Sequence, residues 1–166
     1  MPSIRGATEQ DGTALARIDL ATWTSAVSPA PPPADPAGYA FFDDSTTPDA
    51  VLVAEVRGVV VGWAEVQPGA PRVSSHAHVH ELRGLAVDPS HQGGGVGRAL
   101  VEAAAQGCRQ RGARKLTLRV LGPNVVARRL YERCGFVVEG VLRQEFLLEG
   151  HYVDDVLMAR RLENHP

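Results

Sequence analysis

A chain of 166 residues with 44% hydrophobic and 22% charged side chains has the composition of one globular domain, 1–166, with a sizeable core. Its formal net charge of −2 gives no electrostatic reason to expect nucleic acid, and no apolar run is long enough for a membrane helix. Met1-Pro2-Ser3-Ile4-Arg5 lacks the apolar stretch of a signal peptide, and Cys108 and Cys134 have neither metal nor redox spacing, so the expectation is a cytoplasmic protein with both cysteines in its core.

In chain order, Ile4 to Ala7 reads as a first strand, and Asp11 is placed to cap a helix through about Ala21. Ser28 to Pro36 carries five prolines and cannot form regular helix or a central strand. It is either a stiff exposed connection or a wall of a substrate cleft. Val51–Val56 and Val59–Val66, separated by Arg57-Gly58, predict a hairpin with a two-residue turn. A third strand is predicted from Val79 to Val87.

An amphipathic helix begins near Val96. Val96, Leu100, Val101, Ala104 and Cys108 share its inward side, and Arg98, Glu102, Gln106 and Arg109 the other. Lys115 to Val120 alternates as a strand, with Leu116, Leu118 and Val120 on one face. Pro123 suits the first turn of a helix ending near Cys134, with Gly135 as the stop. On this helix Asn124, Arg128 and Tyr131 share one side, with Val126, Leu130 and Cys134 as the buried stripe. Phe136–Val138 and about Phe146–Met158 are predicted as a closing strand pair. The whole is an α/β, mixed-sheet pattern without internal repeats.

Between Val87 and the helix lies Gln92-Gly93-Gly94-Gly95-Val96-Gly97-Arg98. Glycine backbone at a helix start can approach an anion closely, and the free N–H groups and macrodipole there favour phosphate. A nucleoside-triphosphate loop would need Lys and Ser/Thr where Arg98 and Ala99 stand, and a dinucleotide fingerprint would need glycine at Leu100. A glycine turn without a ligand is the plain alternative. Asn124 and Tyr131 are seven residues apart, roughly 10 Å along a helix, which suits an extended ligand carrying an amide and then a thioester.

Gln92-x-x-Gly95-x-Gly97 resembles the acyl-CoA pyrophosphate loop of the GNAT superfamily of N-acetyltransferases. Asn124-x-x-Ala127-x-x-x-Tyr131-x-x-x-Gly135-Phe136 resembles a second signature of that superfamily, in family order. Gly150 to Met158 is similar to its final strand region. The resemblance implies a three-layer fold with a splayed, mostly antiparallel sheet flanked by helices. It also implies acetyl-CoA as cosubstrate, without a metal, and transfer to a primary amine of a small molecule, amino acid or protein N-terminus by direct attack in a ternary complex.

By the same carry-over, amides of Gln92, Gly93, Gly94, Gly95, Val96, Gly97 and Arg98 would hold the pyrophosphate. Backbone of Leu85, Ala86 and Val87 would meet the pantetheine arm, with Asn124 and Ala127 beside it and Tyr131 near the sulfur. Glu81, eleven residues before Gln92, matches the base position of histone-acetylating members; a solvated strand carboxylate is the alternative. Members that acetylate ribosomal-protein N-termini often carry glutamate where this chain has Arg119, so their mechanism does not transfer. A non-catalytic acyl-CoA sensor is the competing function, and a homodimer is left open.

Two further clusters stand outside these motifs. His76, His78 and His80 alternate and would line one strand face, as a zinc site or as a solvent-facing cluster. Asp43, Asp44 and Asp49 either favour a cationic acceptor or form an acidic surface.

Overall fold

The structure, a computed structural model, describes residues 1–162. Ser3–Gly6 (β1) leads through a single 3-10 turn into Gly12–Thr22 (α1), whose inward side carries the fully buried Leu15 and Ile18. Burying side chains of this size contributes about 1.5–3 kcal/mol each, and this stripe is what holds α1 to the sheet. Asp11 precedes the helix as expected, but its carboxylate does not cap it. It accepts from the Thr8 backbone N–H and from both terminal nitrogens of Arg5, each at 2.8 Å, and so ties β1 to the start of α1.

Val51–Val56 (β2) and Val59–Pro68 (β3) form the predicted hairpin. Its turn places Arg57 and Gly58 at positive φ, 53° and 78°, where the glycine is unstrained and the arginine is not. Val79–Val87 (β4) completes the meander. Val96–Gln110 (α2) then returns across the sheet with Val96, Leu100, Val101, Ala104 and Cys108 buried on one side. Lys115–Leu121 (β5) buries Leu116, Leu118 and Val120 against that same helix.

Val125–Arg133 (α3) starts two residues after Pro123, so the proline lies outside the helix. Asn124 is the cap, its side-chain oxygen accepting the Ala127 N–H at 3.2 Å. The predicted stripe is rotated: Tyr131 and Cys134 are buried, whereas Val126 is 83% exposed. Such a short helix at the rim of a cleft buries only the side that meets α2, and Val126 faces away from it.

The closing pair is Val137–Leu148 (β6) and His151–Arg161 (β7), longer than predicted and turning at Glu149-Gly150. Strand β6 lies at the edge of the sheet and is mostly exposed. It also breaks register between Leu142 and Phe146, which erases the alternation that would reveal it.

The sheet has seven strands in the order β1-β2-β3-β4-β5-β7-β6, antiparallel except between β4 and β5. Helix α1 covers one face, its Leu15 and Ile18 packing with Phe41 of the following loop, Val53 of β2 and Trp63 of β3, while α2 and α3 cover the other. Strands β4 and β5 pair only from Val79/Lys115 to Glu81/Thr117. Beyond that rung β4 runs six more residues and β5 four more without pairing to each other, so the sheet splits at its centre. The expected splayed, mostly antiparallel, three-layer architecture is present.

Candidate active site

The split opens a continuous cleft of about 840 Å³ that passes from the α2 start, between β4 and β5, to the α1 side of the sheet. Its first part is the glycine loop. Asp88 holds the loop's base: it accepts from the Ser90 N–H and hydroxyl, and pairs with Arg17 of α1 at 2.7 Å. These bonds keep its carboxyl well below the usual carboxylate range. The Gln92 side chain donates back to the Val87 carbonyl at 3.0 Å.

Gly93 and Gly95 adopt φ of 79° and 83°, and a Cβ on either would meet nothing within 4 Å. The conformation, rather than crowding, therefore asks for glycine there. No side chain caps α2, so its leading N–H groups face the cleft free for an anion. Gly97 has a different reason: its Cβ would lie 3.1 Å from Leu130 Cδ2, where α3 crosses α2.

Of the residues named from the motifs, Leu85, Ala86, Val87, Gln92, Gly93 and Gly95 line the cleft, as do Val96, Gly97, Arg98, Asn124, Ala127 and Tyr131. Ala86 and Val96 are themselves buried in the two cores. Gly94 and Glu81 do not line it. From Leu82 to Val87, β4 has no strand neighbour on its β5 side, leaving backbone open to an extended ligand. A bulge puts Arg83 out of register with β3, between the Glu65/Gly84 and Val66/Leu82 pairs.

Asn124 spends its side-chain oxygen on the helix cap, which leaves its amide N–H₂ as the group free to meet a ligand. Tyr131 is 8% exposed, and burial pushes its phenol up to about 12. It is neutral at physiological pH and can donate a hydrogen bond. Handing its proton fully to a thiolate, whose conjugate acid has a pKa near 8.5, is uphill by roughly 3–4 pKa units.

Residues 13–136 match the Acetyltransferase (GNAT) family. The chain belongs to this family. Over 141 residues it is 33% identical to the aminoglycoside N(6')-acetyltransferase type 1 of Stenotrophomonas maltophilia, covering 81% of this chain and 86% of that protein. Over 99 residues it is 38% identical to the mycothiol acetyltransferase of Amycolatopsis mediterranei, covering 58% of this chain. The chain spans 32% or less of the length of the first mycothiol acetyltransferases it matches. Its fold superposes on smu.2055 of Streptococcus mutans UA159 with a TM-score of 0.84 at 27% identity, over 97% of this chain and 99% of that one. It shares the fold of yncA from Salmonella typhimurium, whose structure carries its cofactor acetyl-CoA, with a TM-score of 0.79 at 24% identity over 100% and 96% of the two chains.

In this GNAT chain Glu81 occupies the last paired rung, opposite Thr117 on β5 and Gln67 on β3. Directly opposed residues share a face, and Gln67 donates to Glu65, so Glu81 stands beside the cleft's α1 arm without lining it. No hydrogen bond or ion pair engages its carboxylate among the described residues. The acids that do line the cleft are Asp19 and Glu65, which no motif marked. Asp19 is one more polar position in a helix pattern, and Glu65 one more in a valine-rich strand.

Val27 and Ser28 wall the cleft at the start of the proline-rich stretch, while the prolines themselves are mostly exposed. The histidines do not share a strand: His76 ends a 3-10 turn, His78 precedes β4, and only His80 lies in it. Among the described residues no group of three metal-binding side chains is brought together. Asp43 accepts from the N–H groups of Ser45 and Thr46, and Asp49 from the Thr47 hydroxyl, so both shape their own exposed loop. Arg119 is anchored to the buried Asp155 of β7.

Proposed function

We propose that the chain, 1–166, works as one domain transferring an acetyl group from acetyl-CoA to a primary amine, by direct attack in a ternary complex. The observation that carries this is the cleft through the split sheet. It links an anion-ready glycine loop, unpaired β4 backbone, Asn124 and Tyr131 in the order that pyrophosphate, pantetheine and thioester follow along CoA. The free α2 amides and the open space around Gly93 and Gly95 suit a pyrophosphate, and the β4 edge suits an extended amide-bearing arm.

In the reaction the amine nitrogen attacks the thioester carbon, the C–S bond breaks, and amide and CoA thiol leave. An alkylammonium of pKa about 10.4 is roughly 0.04% neutral at pH 7, so removing its proton is a principal task. Glu81 serves this as the proton acceptor through water, being beside the α1 arm yet not in contact with the cleft. Tyr131 steadies the departing sulfur with a hydrogen bond.

Acetyl-CoA supplied with a panel of small amines, amino acids and peptides, and followed by thiol release, tests the reading. Amine-dependent thiol is the expected result. Tight acetyl-CoA binding with no thiol from any amine would identify the sensor instead. Glu81→Gln is expected to lower kcat/KM roughly 10²-fold at pH 6.5, with the deficit shrinking as pH rises and free amine accumulates. Activity within threefold of wild type at pH 6.5 would remove Glu81 from the mechanism.

A further inference from the structure

On the α1 side of the sheet the cleft ends in an arm whose chemistry differs from the CoA-facing part. Its walls are aromatic: Trp23, Tyr39, Phe41 and Trp63. Trp23 stands edge-on to Tyr39 at 6.2 Å, and Phe41 edge-on to Trp63 at 4.8 Å. Two carboxylates stand among them. Asp19 accepts from the Tyr39 hydroxyl at 2.6 Å, and Glu65 accepts from the Thr46 hydroxyl at 3.4 Å and from the Gln67 amide. Neither forms an ion pair among the described residues; Arg83, which also lines the cleft, donates to Gln67 at 3.3 Å rather than to Glu65.

A third observation comes from Trp63. Trp63 lines the cleft and is 7% exposed, yet among the described residues its buried indole N–H has no hydrogen-bond partner. A buried donor left unpaired destabilises the fold until an acceptor reaches it.

We propose that this arm is the acceptor subsite and that it takes a cationic amine with an apolar body, the ammonium facing Asp19 and Glu65 and the body lying on Trp23, Tyr39 and Phe41. The inference rests on the acetyl-transfer reading and adds the substrate class to it. Two unpaired carboxylates in a partly desolvated arm attract a cation and repel an acceptor that carries its own carboxylate. The aromatic faces favour the same cation through their quadrupoles. Burial raises the Asp19 carboxyl above its usual value despite the Tyr39 hydrogen bond, as expected of an acid lacking a positive partner. The tyrosine in turn is raised, first by burial and then by its hydrogen bond to Asp19, with the charges of Asp19, Asp43 and Glu65 also opposing its ionisation.

The test compares 2-phenylethylamine with phenylalanine, which has the same body plus a carboxylate. The wild-type kcat/KM is expected to favour the amine at least tenfold. The Asp19→Asn/Glu65→Gln variant should narrow that preference below threefold, through the amine KM, with the acetyl-CoA KM unchanged. If the double variant does not fold, Glu65→Gln alone, at a half-buried site, should raise the amine KM at least threefold. Equal use of both acceptors, or a preference that survives in the variants, would overturn the proposal. Both tryptophans of the chain line this arm, so their fluorescence reports acceptor binding with CoA present. Amine binding tenfold tighter than that of phenylalanine, lost in the variant and without thiol release, would keep the subsite and sink the transfer reading. Absence of that binding preference would sink the subsite.

Discussion

At the scale of single residues, burial sets what Tyr131 can do, and an ion-paired hydrogen bond sets what Asp11 can do. A phenol at about 12 next to a thiol near 8.5 stabilises the thiolate by hydrogen bonding without giving up its proton. Tyr131→Phe is therefore expected to lower kcat roughly 10–10²-fold while leaving the acetyl-CoA KM nearly unchanged. Steady-state kinetics with acetyl-CoA and a more activated aryl thioester check this, because the loss should shrink for the better leaving group. Asp11 makes a stability prediction. Its hydrogen bond to Arg5, above all, lowers its carboxyl from 3.8 to about 2. A depressed carboxyl stabilises the fold above its unfolded value and loses that effect as pH falls through the folded one. With Arg5 partly in solvent, the contribution at pH 7 is on the order of 1–2 kcal/mol. Urea unfolding of Asp11→Asn should show that deficit at pH 7, and the gap to wild type should close between pH 4 and pH 2.

Among elements, the α2–α3 crossing governs the cleft because both helices contribute to it. Their approach depends on Gly97, where a Cβ would sit 3.1 Å from Leu130 Cδ2. Gly97→Val adds a Cβ and two methyl groups at that contact and is expected to cost about 1–3 kcal/mol by overpacking. Leu130→Ala in the same chain should recover part of it, a coupling that a double-mutant cycle on urea unfolding measures. The α1 crossing acts on the acceptor side in the same way: Asp19 reaches the cleft because Leu15 and Ile18 anchor the helix beside Trp63. Strand β6 has the opposite character, an exposed edge whose position matters to β7 more than to the cleft.

For the whole molecule, a ligand that bridges the split should hold its two halves together. Acetyl-CoA at a hundredfold excess over its Kd is expected to add about 2.7 kcal/mol of apparent stability. Gly95→Val forces a branched residue to φ near 83° at the anion site and should remove most of that increment, while the protein still folds. Thermal unfolding of both proteins with and without acetyl-CoA reads this directly. An undiminished shift in folded Gly95→Val protein would move the pyrophosphate elsewhere.

The features legible in the linear order of residues are local. The Arg57-Gly58 hairpin, the buried phase of α2, the alternation of β5 and the glycine loop are each encoded within a dozen residues, where periodicity or turn chemistry has one physical solution. The same is true of the two motifs that carry the family, because helix geometry places Asn124 and Tyr131 along one axis. Tertiary structure alone decided the rest. The β4–β5 split depends on pairing between strands separated by a helix, and ending that pairing at Glu81/Thr117 leaves no trace in either strand's own pattern. The phase of α3 followed its contact with α2, which exposed Val126 and buried Tyr131. The acceptor arm is assembled from α1, the loop after it and β3. Asp19, Tyr39 and Glu65 meet only because packing brings together residues that no local spacing relates.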